Sequence, residues 1–123
     1  MGKPTTVESI VLLPSAAHAE IDPKKLHGYL LSATHPIGRF KARFFGALGY
    51  TADEWQVLEA DLRIQHLSQE ATPGPEMPYG RSYSIRAILK GPNGEAAVVV
   101  SVWFIRSGAT APHFVTAYPG GDQ

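Results

Sequence analysis

Between Thr72 and Pro78 the chain carries three prolines in six residues, and the hydrophobic period differs on the two sides of this segment. Each proline removes an amide donor and pushes the residue before it out of the helical region, so no helix crosses here. Residues 72–78 therefore read as the one long loop, without regular structure. Upstream, apolar side chains recur at intervals of three and four; downstream they recur at two. Helices first and strands afterwards predict an α+β domain, with an antiparallel sheet of three or four strands packed on helices. At 123 residues, the whole chain, 1–123, suits one domain with one core.

Three helices are expected in the part spanning 22–68. Asp22-Pro23 combines a favoured N-cap with a favoured first helical residue, and Leu26, Tyr29 and Leu30 follow at helical spacing to about Ser32. From His35-Pro36 a second helix places Ile37, Phe40, Phe44, Phe45 and Leu48 on one side, with Gly49 as its left-handed cap. Thr51-Ala52-Asp53-Glu54 reads as a reciprocal capping box before the stripe Trp55, Leu58, Leu62. Before these helices, 7–13 is short, partly β-branched and stopped by Pro14, an edge strand or extended arm.

The sheet is expected within 80–119. Tyr83, Ile85, Ala87 and Leu89 alternate with Ser82, Ser84, Arg86 and Ile88, and Gly91-Pro92-Asn93-Gly94 turns the chain. Ala96 to Ile105 is apolar on both parities apart from Ser101, the pattern of a central strand covered on both faces. His113 to Tyr118 makes the last strand, and 120–123 is a tail.

Zero cysteines remove thiolate metal sites, thiol nucleophiles and disulfides, and fit a cytoplasmic setting. Neither a signal peptide nor a membrane span is expected: Ile10 to Leu13 is too short an apolar region for the first, and no run approaches the second. Phosphate loops, nucleophile elbows and His-Glu-x-x-His are absent, and the five histidines lack ligand spacing, so neither a metal nor a cofactor is expected. Net charge is zero but segregated: 22–46 carries +4 and 51–76 carries −5. Binding of a polyanion would have to use the first of these segments.

Within that basic segment, Arg39 and Arg43 lie one turn apart with Lys41 between them, and Gly38 would let a phosphate approach the start of the helix. The competing reading is a solvated outer face whose alkyl stems shield Phe40 and Phe44. His35 sits at the bend before this helix, where an imidazole can serve as general acid or base, or merely fix the turn. Arg86 shares a strand face with Ser82 and Ser84, and Thr116 and Tyr118 share one face of the last strand. If the helices cover the opposite face, these residues line an open sheet.

The run Asp22-Pro23-Lys24-Lys25-Leu26 with Tyr29-Leu30-Leu31, then His35-Pro36-x-Gly38 and Lys41-Ala42-x-Phe44-Phe45 ending in Leu48-Gly49, resembles an uncharacterised bacterial domain family of about this length. Gly91-Pro92-Asn93-Gly94, Trp103 and Pro112-x-x-Val115-Thr116-Ala117-Tyr118-Pro119 extend the resemblance over most of the chain. Similar domains stand alone or form C-terminal cassettes of large secreted toxins. Their order of elements is similar to metal-independent ribonucleases of the barnase, colicin and RelE kind, an analogy of fold only. The polar positions that match are Lys25, His35, Lys41, Thr116 and Tyr118, and the resemblance brings no catalytic assignment with them.

Together these features lead to an expected toxin-like domain that binds RNA or cleaves it without a metal. A 2′-hydroxyl would attack its neighbouring phosphate, with His35 as acid or base, Lys25, Lys41 and Arg86 as electrostatic stabilisers, and Thr116 and Tyr118 orienting the substrate. The alternative is a non-catalytic protein-binding module, a toxin neutraliser, immunity-type protein or adaptor whose acidic stretch 51–68 meets a basic partner. A third reading is a small enzyme acting on a phosphate- or carboxylate-bearing metabolite.

Overall fold

The computed structural model describes residues 10–121. Three helices precede a four-stranded antiparallel sheet in the order β1-β2-β3-β4, a simple meander in which every strand pairs with its sequence neighbour. The strands are β1 (Ala71–Pro73), β2 (Gly80–Lys90), β3 (Ala96–Arg106) and β4 (His113–Pro119).

The first helix, α1, begins at Pro23 with the Asp22 carboxylate accepting the Lys24 amide at 3.0 Å. After one turn it widens into a π-helical turn over Leu26–Leu30, closed by the Leu31 amide on the Leu26 carbonyl at 2.8 Å. Leu26 and Leu30 are fully buried. The second helix, α2, spans Gly38–Gly46 and runs on as a turn to Gly49, whose φ of 101° suits a residue without Cβ. The third, α3, spans Trp55–Asp61 and continues as a π-helical turn to His66.

Several local expectations are corrected. On α2, Ile37 and Phe40 are 62% and 61% exposed, whereas Phe45 and Leu48 are buried. Gly38 is buried against the backbone carbonyl of Tyr29, and this contact turns the face through 38, 41, 45 and 48 inward, leaving 37 and 40 in solvent. The capping box forms by halves: the Glu54 amide donates to Thr51 Oγ1 at 3.3 Å, but the helix proper starts only at Trp55, with no side-chain cap. Thr72 and Pro73, expected in a loop, belong to β1, where they pair with Ser84 and Tyr83. Proline is tolerated there because β1 is an edge strand and the missing donor faces no partner.

Residues 7–9 of the expected arm lie outside the described residues. Over 10–13 the chain takes no strand conformation, but Leu13 is buried and the Val11 carbonyl accepts the Ala71 amide at 2.7 Å.

One hydrophobic cluster joins helices and sheet: Leu26, Leu30, Phe45, Leu58 and Leu62 meet Ile85, Leu89, Val99, Trp103, Phe114 and Ala117. The helices thus cover one sheet face. β3 is central, but the expectation that both its faces are covered fails: Val98, Val102 and Phe104 are only half-buried, and Ile88 on neighbouring β2 is exposed. β4 forms the second edge and carries a bulge opposite Val102 and Trp103. Bulges at an edge re-aim side chains, and the extra residue of this one, Val115, immediately precedes Thr116.

Candidate functional site: a cationic cleft at the edge of the sheet

A cleft of about 590 Å3 opens between the start of α1, the turn before α2 and the β4 edge. Lys25, Tyr29, His35, Lys41 and Thr116 line it, together with Lys24 and Asp22. Formal charge there is +2, as expected of a site for an anion.

Lys41 is the hub. Its Nζ donates to Tyr29 Oη and to Thr116 Oγ1, each at 2.9 Å, and lies 5.1 Å from the centre of the Tyr29 ring and 5.9 Å from that of Tyr118. Two of its three protons are thereby placed, and the third remains for a ligand. Because the Lys41 ammonium donates to it, the Tyr29 phenol is held below its ordinary value; partial burial acts in the opposite direction. The Lys25 ammonium is tethered more loosely, 3.4 Å from the Val115 carbonyl.

His35 faces Tyr29 edge-on, with ring centres 5.0 Å apart. Its Nδ1 accepts the amides of Ile37 at 3.0 Å and Gly38 at 2.9 Å. With that lone pair occupied, the neutral ring carries its proton on Nε2 and acts as a donor through that atom. Ser32 Oγ in turn accepts the His35 amide at 3.1 Å, so the turn is locked from both ends.

The structure therefore brings together Lys25, His35, Lys41 and Thr116 from the sequence candidates, with Tyr118 beside Lys41. Arg86 stands elsewhere, on the open sheet face, where its Nε donates to the Gly120 carbonyl at 3.1 Å and Val100 separates it from Tyr118 in the strand register. Arg39 folds back on its own helix: Nη1 donates to the Pro36 carbonyl at 2.7 Å and the guanidinium lies 4.5 Å from the Phe40 ring centre. Arg43 is exposed and does not line the cleft. Gly38 is occupied on two counts, its amide by His35 and its open side by the Tyr29 carbonyl.

Tyr29 is the site residue that sequence reasoning missed, because its place beside Leu30 assigned it to the apolar stripe. Its i,i+4 relation to Lys25 was the available signal. A second polar arrangement, also unforeseen, is closed to ligands. His66 and Ser101 are fully buried: Trp103 Nε1 donates to Ser101 Oγ at 2.9 Å, Ser101 Oγ donates to His66 Nδ1 at 2.8 Å, and His66 Nε2 donates to the Ala87 carbonyl at 3.2 Å. Burial lowers the His66 pKa and keeps the ring neutral. Every member is satisfied, so the chain of bonds ties α3 to β2 and β3.

Among the described residues no group of three His, Asp or Glu could hold a metal ion, and no helix is long and apolar enough to cross a membrane. No curated protein and no solved structure matches the chain. A family model, described as a domain of unknown function, matches residues 12–121, which include every residue of the cleft. With nearly its whole length inside that match, the chain belongs to the DUF6883 family.

Proposed function

We propose that the chain is a toxin-like domain that binds RNA in this cleft and cleaves it without a metal, acting in the cytoplasm. The observation that supports this reading is the Lys41 ammonium, held 2.9 Å from both the Tyr29 and Thr116 hydroxyls in a cleft that Lys25 and His35 also line. Lys25, the third Lys41 proton and His35 Nε2–H form a set of donors for the phosphate oxygens, whose negative charge grows in the transition state. His35 in this scheme is an electrostatic donor. The acid–base work passes to Tyr29 and Lys41.

With Tyr29 as phenolate and Lys41 as ammonium, the phenolate takes the proton of the RNA 2′-hydroxyl. The O2′–P bond forms, the P–O5′ bond breaks, and Lys41 gives a proton to O5′. The products are a 2′,3′-cyclic phosphate and a 5′-hydroxyl. The pair is left as phenol and amine, and one proton moving from Tyr29 to Lys41 along their hydrogen bond restores it. The Lys41 hydrogen bond eases the ionisation that this step asks of Tyr29.

The test is incubation of the purified protein with total RNA in excess EDTA, read on a denaturing gel. Cleavage leaving 5′-hydroxyl ends, lost in both Lys41→Met and Tyr29→Phe while each variant still melts cooperatively, is the expected result. Intact RNA at micromolar protein overturns it.

A second reading, a non-catalytic protein-binding module, a toxin neutraliser, immunity-type protein or adaptor that meets a basic partner, draws on one observation. Val57 and Ile64, seven residues apart on the acidic helix, are both exposed, Ile64 by 71%. That reading predicts a stoichiometric complex that Ile64→Asp dissolves and Lys41→Met leaves intact.

A further inference from the structure

Beside the cationic cleft lies a second cavity of about 400 Å3, and the two share Asp22 and Lys25 in their walls. Its chemistry differs. Lys25 and Arg106 are balanced by Glu20 and Asp22, giving no formal charge, and the buried side chains of Ile21 and Phe114 and the ring of His113 supply apolar surface. A charge-balanced, partly aromatic cavity is unsuited to a second phosphate and suited to a neutral heterocycle with donors on one edge and acceptors on another.

Its polar groups are held in different ways. Glu20 is stapled to the start of β4 by two backbone bonds, its amide to the Pro112 carbonyl and its carbonyl from the Phe114 amide, both 2.9 Å. Its carboxylate has no partner among the described residues, whereas the Asp22 carboxylate already accepts the Lys24 amide. Arg106 ends β3, and its guanidinium likewise makes no hydrogen bond among the described residues. The His113 ring is half-buried, 6.0 Å from the Phe104 ring, and offers a stacking surface.

Resting on the RNA reading above, we propose that this cavity is a nucleobase pocket that selects guanine next to the phosphate held at Lys41. Guanine presents two neighbouring donors, N1–H and the N2 amino group, which match one carboxylate, and two neighbouring acceptors, O6 and N7, which match the fork of an arginine. Glu20 and Arg106 supply that pair. Adenine and cytosine each offer a single amino group on the corresponding edge, and uracil a single imino proton, so each would leave a carboxylate oxygen unpaired. That loss is the source of discrimination.

The experiment is calorimetric titration of the intact chain with guanosine 3′-monophosphate, adenosine 3′-monophosphate and inorganic phosphate. Guanosine 3′-monophosphate is expected to bind at least about tenfold more tightly than the adenosine nucleotide, the scale of a good bidentate base contact. Glu20→Gln and Arg106→Ala, both at exposed positions, remove that preference and leave phosphate affinity unchanged, while Lys41→Met weakens all three ligands. Equal affinity for the two nucleotides, or a preference that survives both substitutions, overturns the pocket while leaving the cleft reading standing. Failure of all three ligands to bind overturns both.

Discussion

Gly38, the first residue of α2, lies so close to the carbonyl of Tyr29 that an added Cβ would collide with it. This contact sets the distance between the π-helical turn carrying the Tyr29 phenol and the helix carrying Lys41. Gly38→Ala is therefore expected to destabilise the fold by about 1–3 kcal/mol, the range for overpacking a buried site, and to lengthen the Tyr29–Lys41 bond. Urea unfolding measures the first effect. The second appears as a Tyr29 ionisation that returns toward that of an ordinary tyrosine.

That ionisation is itself a prediction. Of the five tyrosines, Tyr29 is lowered from the usual value of 10.0 by Lys41, and Tyr50 is raised by burial and by its hydrogen bond to Asp61. Following phenolate absorbance against pH should show one tyrosine titrating early. Lys41→Met should abolish the early step alone. Because the folded value lies below the unfolded one, ionised Tyr29 adds stability above pH 10, and this contribution fades as pH falls through the folded value.

His66 gives a pH dependence at the other end of the scale. Its folded pKa lies below the ordinary histidine value of 6.5 because the ring is buried, so below about pH 6.5 the unfolded chain binds a proton that the folded one refuses. Stability should fall on acidification from that point, with a slope of at most about 1.4 kcal/mol per pH unit from this residue. His66→Ala should flatten that component and cost about 2–4 kcal/mol at neutral pH, since it leaves a cavity and unpaired partners in Ser101 and the Ala87 carbonyl. Chemical denaturation at a series of pH values separates the two effects.

Arg86 separates the sequence reading from the structural one. It was expected to stabilise the reacting phosphate, yet its guanidinium bonds the Gly120 carbonyl on the open face of the sheet. Arg86→Ala should leave RNA cleavage at the level of the unsubstituted chain and change stability by only about 0.5 kcal/mol. Loss of cleavage in a folded Arg86→Ala protein would move the active centre onto the sheet face.

The order of elements was legible because the period changes across the proline segment, and the caps at Asp22 and Gly49 were legible because each is a local event. Much of the cleft was legible for a similar reason: His35 and Lys41 stood out as polar groups beside a bend and a basic turn. Tyr29 did not stand out, since a sequence pattern cannot tell whether a tyrosine's hydroxyl ends in the core or in a cleft. The inward face of α2 escaped for a related reason. Phe40 and Phe44 look equivalent in the pattern, and the contact of Gly38 with Tyr29 decides which is exposed. The buried link from His66 to Ser101 joins residues 35 apart in sequence, and no local rule connects them.

Lys41 and Thr116 are separated by 75 residues, and their bond forms only once β4 has docked on β3. During synthesis the helices, with Lys25, Tyr29, His35 and Lys41, leave the ribosome well before the strand that completes the cleft. A nascent chain paused after Lys41 and before Val115 thus has every cation of the site but no edge strand to hold Lys41 in place. On the RNA-cleaving reading, this order of emergence keeps the growing polypeptide harmless to the messenger and ribosome that are making it.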